Sequence, residues 1–101
     1  MNRFERIAQM EAILDKHQEL ADRMEQMLME FEEHQKVYQK LYRYYGSEAF
    51  MRDVEASNRE SFPADVKCGV LSEDAVFDLI GQNEEIALRM LEIAGKIFRE
   101  R

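Results

Sequence analysis

Residues 3–45 read RFERIAQMEAILDKHQELADRMEQMLMEFEEHQKVYQKLYRYY, forty-odd positions without one glycine or proline. Apolar residues recur through them at alternating steps of three and four: Ile7, Met10, Leu14, His17, Ala21, Met24, Leu28, Phe31, Gln35, Tyr38, Tyr42 and Tyr45. That is a heptad seam with only His17 and Gln35 polar, so the spacing predicts one long amphipathic helix. A flanking row of Ile13, Leu20, Met27, His34 and Leu41 widens the seam on one side. A stripe of that breadth suits a helix packed in a bundle better than a strict two-stranded coil. Asn2 and Glu5 form a capping pair at the start, and Gly46 supplies the stop. At 1.5 Å rise per residue such a helix is roughly 63 Å long, which is long for so short a chain.

Beyond Gly46, Ser47 caps a short second helix over about residues 48–57, EAFMRDVEAS, with Phe50, Met51 and Val54 at helical spacing. A connector over 58–71, NRESFPADVKCGVL, holds the only proline, Pro63, which disfavours helix at Phe62. The third helix spans about 73–100. Ser72 is its cap, Glu73 and Asp74 put negative charge in its first turn, and Leu71 staples against Val76. Gly69 makes the preceding turn, with Val70 and Leu71 expected as buried anchors. The seam of this helix is Val76, Leu79, Asn83, Ile86, Met90, Ile93 and Ile97. Ile80, Ala87 and Ala94 flank it, and Phe77, Leu91 and Phe98 add a further row. Gly81 and Gly95 fall opposite the seam, and the helix is expected to run through both.

The expected fold is therefore all-α and a single helical domain over 1–101: a long helical hairpin with a short middle helix and coiled-coil-like packing. With the third helix antiparallel to the first and Ser72 beside Tyr45, Asn83 falls level with His34 and Gln35. A shared polar layer of that kind sets register. The same count leaves the first two heptads, carrying Phe4, Ile7, Met10, Ile13 and Leu14, without cover from the third helix. Exposed apolar area is unfavourable by about 25 cal/mol per Å². The overhang calls for a partner, most simply a second copy in a twofold dimer; the alternative is the connector folding back over it.

Composition agrees with helices: 46% hydrophobic residues, 35% charged, one proline and no tryptophan in 101 residues. The net charge is −7, and residues 1–45, 46–71 and 72–101 each carry more acid than base. No basic stripe is available for nucleic acid or for an anionic membrane surface, so neither partner is expected. A basic protein partner remains open. The opening MNRFERIAQMEAIL is broken by charge every few residues, so it is not expected to be a secretory signal. A lone cysteine fits a reducing cytoplasm.

The residues that carry chemistry are few. His17 and His34 lie about 25 Å apart along one helix and cannot share a metal. Neither has an acid three residues before it, the spacing that di-metal bundles use. Cys68 stands between Lys67 and Gly69, neighbours that lower a thiol pKa, but no base is close in sequence to complete a nucleophile. It reads more simply as a small filler. Tyr38, Tyr42, Tyr44 and Tyr45 crowd the end of the first helix with Arg43, able to anchor either a core or an interface. Met24, Met27 and Met29 form a flexible patch. No phosphate loop, zinc cysteine pair or serine nucleophile motif is present. No catalytic residue, cofactor or metal site is expected.

The runs YYGSEAFMRDVEA and PADVKCGVLSEDAVFDLI carry a resemblance. Tyr44 and Tyr45 follow a long charged helix; Pro63, Asp65, Lys67, Gly69, Val70, Leu71, Ser72, Glu73 and Asp74 then form a second motif. In these the chain resembles a family of small bacterial proteins catalogued as domain of unknown function 4298. The resemblance implies an all-helical bacterial cytoplasmic protein and no particular activity.

Two functions follow as expectations. The first is a non-enzymatic, self-associating helical module for protein–protein interaction, with Phe4, Ile7, Met10, Ile13 and Leu14 as its surface. The second is a small-ligand-binding protein or enzyme with a connector site built from Tyr44, Tyr45, Pro63, Asp65, Lys67 and Cys68.

Overall fold

In the computed structural model, which describes residues Met1–Arg101, three α-helices follow one another: α1 (Arg3–Tyr45), α2 (Glu48–Ser57) and α3 (Ala75–Glu100). A 3-10 turn, Gly69–Leu71, precedes the last, and there are no strands. The fold is all-α, long helix, short helix, long helix. Two units divide it within α1, Met1–Tyr38 and Gln39–Arg101.

The first unit is helix from Arg3 onward. At its start the Glu5 N–H donates to Asn2 Oδ1 at 2.8 Å, while Asn2 Nδ2 donates back to Glu5 Oε1 at 3.2 Å. This reciprocal pair satisfies an amide that the first turn leaves without a helical partner. Gln18–Asp22, Gln26–Glu30 and Arg23–Glu19 pair along the surface at i,i+4. Each such pair stabilises an isolated helix by only about 0.2–0.5 kcal/mol. No residue of α1 is buried.

In the second unit α1 ends without a left-handed residue, since no glycine in the chain has positive φ. Gly46 does not stop the helix by its conformational freedom. Ser47 closes it instead: its N–H donates to the Tyr44 carbonyl at 3.0 Å and its hydroxyl donates to the same oxygen at 2.6 Å. The hydroxyl also accepts from Phe50 N at 3.2 Å, which caps α2. One side chain thus ends one helix and begins the next. Ser57 Oγ donates to the Val54 carbonyl near the far end of α2.

The connector is a chain of single turns. Phe62 N bonds to Arg59 O at 3.1 Å and Val66 N to Pro63 O at 3.4 Å, and the 3-10 turn follows. Ser72 Oγ accepts from Ala75 N at 3.3 Å and donates to Gly69 O at 2.8 Å, but the N-cap position of α3 is Asp74, without a side-chain capping bond, and not Ser72 as expected. The α-helical ladder begins only with Asp78 N to Asp74 O, so α3 starts at Ala75 rather than 73, the usual slack at a helix end. The 3-10 turn touches both α2 and α3. Val76 is the one buried residue, at 3% exposed; Leu71 is half-buried, and Val70, expected as a buried anchor, is exposed.

α3 runs unbroken through Gly81 and Gly95. A methyl group on Gly81 meets nothing within 4 Å, and one on Gly95 meets only the Arg99 guanidinium at 3.4 Å. Gly81→Ala is therefore expected to stabilise the fold by about 0.8–1.0 kcal/mol, while Ser47→Ala costs about 1 kcal/mol. Urea unfolding followed by circular dichroism measures both. A lower midpoint for Gly81→Ala would mean that this face closes against another surface.

Candidate functional site

The aromatic end of α1 is organised by Ser47. Because that side chain makes the turn into α2, the rings of Tyr44 and Tyr45 both meet Phe50, with centroids 5.5 Å and 5.2 Å away and interplanar angles of 87° and 60°. Edge-on contacts of this kind add stabilisation beyond the area they bury. One turn further along α2, Asp53 accepts a 2.5 Å hydrogen bond from the Tyr44 hydroxyl.

That bond sets the local chemistry. The Asp53 carboxylate holds the phenol proton, partial desolvation disfavours a phenolate, and the negative charge of Asp53 repels one. The Tyr44 pKa is raised above its ordinary 10.0 for those reasons, in that order. At neutral pH Tyr44 is a fixed donor rather than a base. Asp53 remains an acceptor facing a small concavity of about 260 Å³ lined by Tyr44, Asp53, Ala56, Phe62, Val66, Val70 and Leu71. An apolar hollow with one polar pair accommodates a small apolar group that carries a hydrogen-bond donor.

Of the connector residues read from the sequence, Tyr44 alone lines this hollow. Tyr45 lines a second, wider one of about 510 Å³ with Phe50, Val54 and Leu71 among its neighbours. Pro63, Asp65 and Lys67 are exposed. Cys68 is a free, half-buried thiol that donates to the Val66 carbonyl at 3.2 Å, a local turn contact. Asp53 and Phe62 complete the hollow and were not singled out in the sequence. The signal for Asp53 was its place one helical turn after Phe50, on the same edge of α2.

In the first unit Phe4, Ile7, Met10, Ile13 and Leu14 are all more than half exposed, Phe4 to 80%. His17 and His34 lie exposed on α1, and no group of three or more His, Cys, Asp and Glu side chains comes close enough to hold a metal ion. No helix is long and apolar enough to cross a membrane.

The Tyr44–Asp53 bond gives a pH test with a defined sign. A raised pKa in the folded state means stabilisation that is complete below pH 10.0 and is lost as pH climbs through the raised value. Asp53→Asn is expected to bring Tyr44 ionisation down toward the ordinary range, read from the ζ-carbon shift of labelled tyrosine. An unchanged Tyr44 titration would remove Asp53 as the cause.

No curated protein matches this chain. Residues 7–93, from the α1 seam through α2 and the connector into the last turns of α3, match the family described as domain of unknown function DUF4298. On that span, which takes in most of its length, the chain belongs to the DUF4298 family.

Proposed function

We propose that this protein is a non-enzymatic helical module that associates with itself as a twofold dimer and through it meets a protein partner in the bacterial cytoplasm. The observation that carries the proposal is the face of α1 in the first unit. Phe4, Ile7, Met10, Ile13 and Leu14 stand more than half exposed on a helix with no buried residue. Fully burying such side chains stabilises by about 1.5–3 kcal/mol each. Covering what the five leave in water is thus worth on the order of 5 kcal/mol per chain. A continuous apolar stripe bordered by charge is the usual mark of an interface. The chain's charge of −7, spread along its length, supports neither nucleic acid nor an anionic membrane as partner.

A second reading has one observation behind it, the hollow containing Tyr44 and Asp53. It makes the protein a binder of a small apolar amine or alcohol, with the enzyme alternative resting on the same place. An NMR titration with such molecules that left Tyr44, Phe62 and Val66 unmoved would end it.

Light scattering tests the leading reading. The intact chain is expected at twice its 12.0 kDa mass, and the Ile7→Asp, Leu14→Asp variant at that single mass with helical circular dichroism retained. A monomeric wild type would refute self-association.

A further inference from the structure

Resting on that reading, we propose that two copies pair through the first unit with their α1 helices antiparallel, Leu20 against Leu20 of the partner subunit. What separates the two orientations is the difference between the two borders of the seam. On one side stand Ile13, Leu20 and Met27, all exposed. On the other stand Glu11, Gln18, Glu25 and Glu32, also exposed.

In a parallel pair of helices each border faces the opposite border of its partner. Ile13, Leu20 and Met27 would then lie against Gln18, Glu25 and Glu32, apolar against polar at every step and against a carboxylate at two of the three. In an antiparallel pair each border faces its own kind. Ile13 then meets Met27, Leu20 meets itself, and the polar border stays in water. The seam agrees with the same placement, which sets Ile7 against Phe31, Met10 against Leu28 and Leu14 against Met24. Those three pairs are apolar, and the central layer sets His17 against Ala21.

Charge opposes the arrangement weakly. It brings Glu11 near Glu25 of the partner subunit, whereas a parallel pair would set Arg6 near Glu11. Exposed charges in water contribute little and are screened by salt, while the apolar border runs through about four helical turns. The apolar term decides. Added sodium chloride is accordingly expected to tighten the antiparallel dimer.

Disulfide trapping on the full chain in a Cys68→Ser background is the test. Leu20→Cys is expected to give a disulfide-linked dimer on mild oxidation and Leu14→Cys none, because antiparallel α1 helices hold the two copies of position 14 about 15 Å apart along the axis. The double variant Leu14→Cys, Met24→Cys is expected to link twice, which guards against a fault of one substitution. A linked Leu14→Cys dimer with no Leu20→Cys product would mean parallel helices. A protein of dimeric mass that none of the three variants links would place the interface elsewhere than α1. Both outcomes overturn the orientation. Failure of self-association itself is seen separately, as monomeric mass in the Cys68→Ser chain before oxidation.

Discussion

Apolar surface has to leave water before a chain of this length can hold a fixed structure, because helical hydrogen bonds alone leave long helices marginal. Nearly half of the residues are hydrophobic, yet a single side chain, Val76, is buried. The first unit takes this to its limit. It is helix with no buried residue, and the side-chain pairs along it, Gln18–Asp22, Gln26–Glu30 and Arg23–Glu19, are exposed contacts of a few tenths of a kcal/mol each. Its apolar stripe represents several kcal/mol of unrealised burial. That imbalance, more than any single motif, is the reason to read α1 as one half of an interface.

The second unit meets the same constraint on a small scale, and it does so around Ser47. One hydroxyl donates to the Tyr44 carbonyl and accepts from the Phe50 amide, which fixes how α1 hands over to α2. The ring contacts of Tyr44 and Tyr45 with Phe50 depend on that handover, and so does the reach of Tyr44 to Asp53. The 3-10 turn then brings Leu71 against α2 while leading into Val76, so one short segment ties the two helices of this unit together. The hollow beside Tyr44 is a by-product of this economy: the apolar residues around it are too few to fill it.

Much of this was legible in the residues. A period of three and four without glycine or proline, bounded by Asn2 and Gly46, gives α1 its limits of Arg3 and Tyr45. Ser47 with its following apolar residues gives α2, whereas α3 starts two residues later than Ser72 announces, with Asp74 at its N-cap. Less legible were features that depend on distance through space. The hydrogen bond from Tyr44 to Asp53 crosses a turn whose angle no local pattern encodes. The connector reads as irregular because its turns are single and its 3-10 segment is three residues long, too short for any periodicity to register. Val70 faces the same hollow as Leu71 but is left 38% exposed, because the apolar residues around that hollow are too few to close it. Asp65, Lys67 and Cys68 stand out in composition, but side chains that stand out along a chain converge only when the backbone turns them together.

α1 and α3 both expose apolar residues. On α3, Phe77, Leu91 and Phe98 form one row at heptad spacing, but Glu84 occupies the step between Phe77 and Leu91. A twofold pairing along that row would bury a carboxylate or bend around it, and an unpaired buried charge is among the costliest groups to place in an interface. The α1 stripe has no acid within it from Ile7 to Leu28; its only polar seam position there is His17. Apolar area alone does not separate the two helices. Free surface does: the α3 seam from Val76 to Ile97 is equally free of acids, but Val76 is buried and Ile86 half-buried, whereas from Ile7 to Leu28 only Ala21 is half-buried and the rest is exposed.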